Sequence, residues 1–357
     1  MNITFWPPLQ LLAYSKIAQA VLYTFDIDAL KDDFMLGGYF SDDYAQKIKC
    51  KVSSIPLSTA IQQRLVGIVL TLGTEVVKWF RSHEDILRDT KLNFQNKISW
   101  FSFGIIDRFE TARSLIRDQN LNIHKRFVLA SKYYLEEDVR MLWMCMSENE
   151  QKYINRSIEL PRSIRHWLKK LYKGTQFDWT EMSLIVKTGE FFCRNHLGLR
   201  YYFPKFKKLE DRLYCILNAM RHEETHHFDL YFCLSHMNVK EQNHVFNQLL
   251  EYERQKVIEL FLNWPLQILF LDVLDCTMLC VTVNIIHGII NFILLERLKK
   301  RWEDHEYIYV LKRLWEKSPS LYKKKLEEDK IIYPELMLVF ESSDSLDSER
   351  YLNYLEM

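Results

Sequence analysis

Residues 57–80 read LSTAIQQRLVGIVLTLGTEVVKWF, and within them Leu57, Ile61, Leu65, Ile68, Leu72, Val76 and Phe80 recur every three or four positions. That interval matches the turn of an α-helix and lays the seven side chains along one stripe, so the stretch predicts a helix with a core-facing side. Working outward, stripes of the same period run through 104–117, 124–134, 137–147, 161–172, 180–193, 209–221, 226–236, 240–250, 252–263, 277–302 and 306–316. The alternation a half-buried strand requires is almost absent, so the fold class is all-α: a multi-helical array of stacked helical hairpins, solenoid-like in organisation.

Composition agrees. The 357 residues are 48% apolar, enough for a large core, yet contain only 9 glycines and 8 prolines. The positive-φ turns that an all-β or dinucleotide-binding chain consumes are therefore scarce. Lys plus Arg (48) almost cancels Asp plus Glu (47), which leaves no strong positive field for a phosphate backbone and argues against nucleic acid as a partner. Seven cysteines lie at 50, 145, 193, 215, 233, 276 and 280 with no C-x-x-C pair, and most are expected to be reduced core thiols. The opening MNITFWPPLQLLAYSK has no cationic leader and Pro7-Pro8 interrupts its apolar run, so a cytoplasmic setting is expected. The N-x-S/T matches at Asn2 and Asn155 are then chance occurrences.

Helix starts are legible where Asp107 stands three residues before Glu110, and at Pro56, Pro161, Pro265 and Pro319, which fit first turns. Looser joints are expected at 90–99, 173–179 and 194–206. Sliding the sequence on itself gives an internal duplication of about 104 residues. Asp107-Arg108 then matches Asp211-Arg212, Arg117 matches Arg221, Lys152 matches Lys256, and Pro161 matches Pro265. Trp6-Pro7-Pro8-Leu9-Gln10 echoes Trp264-Pro265-Leu266-Gln267. Four stretches follow: an N-terminal helical region over 1–99, repeat units over 100–205 and 206–317, the second including a long buried helix, and a C-terminal helix with an acidic tail over 318–357.

Within the unit, Phe127-x-Leu129-Ala130-Ser131 followed by Glu137-Asp138-Val139 and Leu142-Trp143 resembles the paired helices of an ankyrin repeat. The chain lacks the T-P-L-H turn and a glycine at the inter-helix bend, which points to a looser helical solenoid. The run from Phe103 to Trp143 also resembles a group of functionally unassigned α-helical proteins of arachnids, a resemblance that implies a helical array and no particular activity.

Two segments carry possible chemistry. His222-Glu223-Glu224-Thr225-His226 has the form H-E-x-x-H, which on a helix sets two imidazoles one turn apart on a zinc ion with the glutamate as general base. His222, Glu223, His226 and the adjoining His227 are thus the metal candidates of a zinc-dependent hydrolase. Against that, Glu224 and Arg221 put charge where such helices bury uncharged side chains, and the segment aligns internally with 118–125, DQNLNIHK, which reads as a turn. The expected reading is therefore a solvated turn with no metal, no catalytic residue and no cofactor.

The second segment, CTMLCVTVNIIHGIINFILL over 276–295, has twenty residues without a formal charge. It could anchor the chain in a membrane, but Asn284, His287 and Asn291 share one face, which favours a buried helix over a lipid-facing one. The basic clusters at 297–301 and Lys323-Lys324-Lys325 are interleaved with Glu303, Glu327 and Glu328 and read as solvated faces. No G-x-S-x-G elbow, glycine-rich phosphate loop or dinucleotide fingerprint occurs. The sequence thus leads to a non-catalytic helical-repeat protein mediating protein–protein interaction, with the zinc hydrolase and the membrane-associated protein as alternatives.

Overall fold

A computed structural model of the chain describes residues 4–25, 27, 42–88, 90, 92, 94–156, 162–179, 181, 197–221 and 225–342. Among these the chain is α-helical, and the β pairing is an isolated antiparallel bridge between Trp100 and Ile106. The all-α reading holds. The helix expected from residues 57–80 runs from Thr59 to Ser82, with Leu65, Ile68, Leu72, Val76 and Phe80 all buried and Leu57 just ahead of it. Each fully buried aliphatic side chain of this kind contributes about 1.5–3 kcal/mol, so the stripe holds the helix in place.

The chain divides into two compact units that are discontinuous in sequence. One comprises residues 1–22, 41–72 and 246–357; the other comprises 23–40 and 73–245.

In the second unit, short helices follow one another closely: Arg108–Arg117, Ile123–Lys132, Glu136–Cys145, Glu148–Arg156 and Arg162–Tyr172. Their starts are fixed by local side chains. Asp107 accepts the Glu110 N–H at 3.1 Å, as its spacing predicts, and Asn122 accepts the His124 N–H at 2.7 Å. Between the second and third of these helices Tyr134 sits at φ 57, the left-handed conformation that glycine supplies at such bends. The Leu135 N–H donates to Ala130 O at 3.0 Å and the Tyr134 N–H to Ser131 O at 3.2 Å, the pair of bonds that closes a helix C-terminus. Tyr134 is nonetheless fully buried, against Tyr202 (ring centroids 4.9 Å) and Trp167 (6.4 Å).

One joint recurs almost unchanged. In Met146-Ser147-x-x-Glu150-Gln151 the Glu150 carboxylate accepts the Ser147 N–H, and Gln151 Nε2 donates back to Trp143 O at 2.8 Å. In Met237-Asn238-x-x-Glu241-Gln242, Glu241 accepts the Asn238 N–H, and Gln242 Nε2 donates to Leu234 O at 2.9 Å and Met237 O at 3.1 Å. Each glutamine satisfies carbonyls that the end of the preceding helix leaves open. The matched pair Asp107 and Asp211, by contrast, differ in role: Asp107 caps, whereas Asp211 is buried inside the helix Leu209–Arg221.

In the first unit, the long buried helix expected over 277–302 is not continuous. Phe270–Thr277 is helical, Met278–Cys280 forms a 3-10 turn, Val281 is extended, and a new helix starts at Val283. Thr277 turns its hydroxyl back to Val273 O at 2.8 Å, and Thr282 caps the new helix by accepting the Ile285 N–H. These two hydroxyls compete for backbone groups, which breaks a segment whose apolar content alone reads as one helix. The Val283–Asn291 helix widens into a π segment over Phe292–Leu298. The stripe of Asn284 and His287 meets carboxylates: Asn284 Nδ2 lies 3.3 Å from Glu251, and His287 Nε2 lies 2.8 Å from Asp329 Oδ2. The stretch 276–295 thus offers no single spanning helix. Thr59–Ser82 is the described helix long and apolar enough to cross a membrane by length and composition, and about half of its apolar window, 56%, is buried within the protein.

Candidate functional site

The helix Leu209–Arg221 ends just before the H-E-x-x-H segment, Thr225 is a bend, and His226 is the N-cap of the helix His227–Ser235 with φ −70 and ψ 132. Thr225 and His226 therefore form a turn ahead of a new helix. His222 and Glu223 lie outside the described residues.

His226 and His227 take part in a different cluster. The His226 side chain is 2% exposed, and its Nε2 lies 2.8 and 2.9 Å from the two carboxylate oxygens of Glu75, itself 6% exposed. The Phe228 N–H donates to His226 Nδ1 at 3.2 Å. Because Nδ1 accepts, the proton of the neutral ring sits on Nε2 and is shared between the Glu75 oxygens. The His227 ring stands 4.2 Å from that of His226, centroid to centroid. Among the described residues, the ligating atoms of Glu75, His226 and His227 lie within 4.8 Å of one another.

Burial alone would push the Glu75 carboxyl up, since desolvation disfavours its charge. The His226 Nε2–H, which turns a hydrogen bond and the positive end of its dipole onto the carboxylate, reverses this and holds it well below the usual carboxylate range, with His227 and Lys78 adding to the effect. Sequence reasoning found the two histidines and missed Glu75. The signal was present: a carboxylate between Leu72 and Val76, inside a core-facing stripe, needs a buried partner.

A second polar cluster lies in the other unit. Asp304 is fully buried and accepts from Gln267 Nε2 at 2.8 Å, Tyr307 OH at 2.8 Å and Thr71 Oγ1 at 3.2 Å. Beside it opens a cavity of about 320 Å³ whose wall includes Tyr14, Arg64, Trp264 and Glu306, with Arg64 paired to Glu306 at 3.2 Å. Burial raises the Asp304 pKa despite the Arg297 charge and the donors on it, and burial lowers that of His305 to about 4. The basic cluster at 297–301 is partly spent: Arg297 donates to Leu262 O at 3.1 Å and to Asn263 Oδ1 at 2.8 Å.

These features define an all-helical protein with one buried Glu–His–His cluster and one buried aspartate network. No family model matches the chain, and neither a curated protein nor a solved structure matches it.

Proposed function

We propose that the chain is a non-catalytic helical-repeat protein, cytoplasmic in setting, that binds other proteins through the short-helix face of residues 108–172. The observation that carries this reading is the outward display of large apolar side chains on three consecutive helices. Met141 (43% exposed), Met144 (77%), Tyr153 (67%) and Tyr172 (55%) all face solvent. Methionine and tyrosine suit adaptable contact with another protein, the first through its flexible thioether and the second through an apolar ring with a polar tip. The joints at Met146–Gln151 and Met237–Gln242 share one local design, although they lie outside the register of the repeat of about 104 residues, and stacked helical hairpins joined in this way create extended binding faces at little cost in new sequence. That inference passes from architecture to function.

The test compares the full chain with a Met144→Glu, Tyr153→Glu double variant. Both positions are exposed, so helical content should be unchanged by circular dichroism. A partner captured reproducibly by the wild-type chain, then purified, is expected to bind the variant at least about tenfold more weakly, as loss of an interface anchor does. Absence of any reproducible partner, or equal binding by both proteins, would reject the reading.

A further inference from the structure

We propose that Glu75, His226 and His227 form a binding site for a divalent transition-metal ion of the zinc class.

One carboxylate and two imidazoles are the three protein ligands that commonly hold zinc with a fourth position left for water or an outside ligand. Their borderline softness suits zinc, cobalt or nickel over calcium or magnesium, which prefer all-oxygen shells. With both rings neutral the set carries a single negative charge, matched to a dication. The donors come from two elements. Glu75 projects from the helix Thr59–Ser82, while His226 and His227 straddle the start of the helix His227–Ser235. Consecutive residues on a continuous helix diverge by about 100°. Here the extended backbone of His226 ahead of helical His227 brings the two rings together.

The distances describe the metal-free form. Two ligand atoms about 2.0–2.2 Å from a tetrahedral ion stand about 3.4 Å apart. The 2.8 Å contact between His226 and Glu75 is instead the hydrogen bond that an ion would replace, and the widest separation in the trio, at most 4.8 Å, must close. His227 is only half-buried. On binding, His226 gives its Nε2 proton to solvent and takes one at Nδ1, so its lone pair faces the ion and no net proton is released. Nδ1 then stops accepting from the Phe228 N–H, so one helix-cap hydrogen bond is exchanged for metal–ligand bonds. The site does not use the H-E-x-x-H geometry, and its defining residue, Glu75, is remote from that motif in sequence.

The experiment titrates the chelator-treated full chain with Zn²⁺ by calorimetry and with Co²⁺ by visible absorption. One ion per chain is expected, with the d–d bands of a tetrahedral or five-coordinate cobalt site. Glu75→Gln and His227→Ala should each weaken binding at least about tenfold, whereas His222→Ala should leave it within about twofold. His227→Ala is the safer variant because its side chain is partly exposed; its folding is checked by circular dichroism. No stoichiometric binding, or binding unchanged in His227→Ala, overturns the assignment. Loss in His222→Ala with binding retained in Glu75→Gln overturns it too and gives the ion to the H-E-x-x-H motif.

Discussion

The Tyr133 hydroxyl donates to His83 Nε2 at 2.8 Å while His83 Nδ1–H donates to the Trp79 carbonyl at 2.6 Å, which fixes the imidazole as its neutral Nδ1–H tautomer. The ring is fully buried and stacked on Trp79, with centroids 4.4 Å apart. A protonated ring would point a second N–H at the Tyr133 oxygen and place its charge in a fully buried site. Burial therefore lowers the His83 pKa from about 6.5 to about 3, helped by the Arg108 and Lys132 charges and opposed by the Trp79 carbonyl.

Between those two values the unfolded chain binds a proton that the folded chain refuses. Stability from His83 is thus fully present above 6.5 and drains away as pH falls toward 3, with a total on the order of 5 kcal/mol. Carboxylates titrate mostly below about 4.5, and the buried His305, lowered to about 4, contributes a slope of the same sign between pH 5 and 6.5, so the share of His83 is the part of that slope which its replacement removes. Urea denaturation across that range should show stability falling with pH in the wild type and a flatter profile in His83→Gln. Parallel profiles would show that His83 ionises at its ordinary value.

Gly67 and Gly288 make opposite forecasts for the same substitution. A Cβ at Gly67 would lie 2.5 Å from both the Asp304 backbone nitrogen and the Glu303 carbonyl carbon, atoms of a main chain packed on the helix. Alanine gains up to about 1 kcal/mol of helix propensity, but overpacking against backbone costs about 1–3 kcal/mol, so Gly67→Ala should be destabilising. At Gly288 the nearest atoms, 2.3–2.4 Å away, belong to the end of the Gln255 side chain, which can move aside. Gly288→Ala should be near neutral or slightly stabilising in thermal unfolding. Equal effects at the two positions would contradict the distinction between backbone and side-chain neighbours.

Tyr134 tests which of two demands wins at a helix bend. Its left-handed backbone costs about 1–2 kcal/mol in a non-glycine residue, which Tyr134→Gly would relieve. The same change removes a fully buried ring from between Tyr202 and Trp167, a loss of about 3–5 kcal/mol for a large aromatic. Net destabilisation of a few kcal/mol is expected in chemical denaturation; a more stable variant would mean that the backbone dominates.

The bend also shows what sequence could and could not tell. The helices were legible because period and caps are local: Leu65 to Phe80 form the expected stripe, and Asp107 caps where Glu110 said it would. The absence of glycine at the inter-helix bend argued for a looser solenoid than ankyrin geometry, yet the space for Tyr134 is provided by Gly198, where a Cβ would sit 2.3 Å from the Tyr134 ring. That is a tertiary relation invisible to spacing. Residues 276–295 misled for the opposite reason, since uniform apolarity hid the break made by Thr277 and Thr282. Glu75 escaped notice because its partner His226 is remote in sequence, although an acidic residue in a core stripe was itself a clue.

Asp304 carries a pH dependence of the reverse sign. Burial raises its carboxyl above the ordinary 3.8, against the opposing effects of Arg297 and of the Tyr307 and Thr71 donors. The folded state therefore keeps a proton that the unfolded chain releases, so this contribution to stability is fully present below 3.8 and is lost as pH rises through the folded value. Asp304→Asn cannot ionise and retains one carbonyl acceptor for Gln267 or Tyr307, so it sacrifices part of the network but escapes the loss. Urea denaturation from pH 4 to 8 should find the variant least favourable, relative to wild type, at the acid end and gaining steadily toward neutrality. A constant difference would place the Asp304 carboxyl at or below its ordinary value, with the ionised carboxylate as the form that the Gln267, Tyr307 and Thr71 donors stabilise.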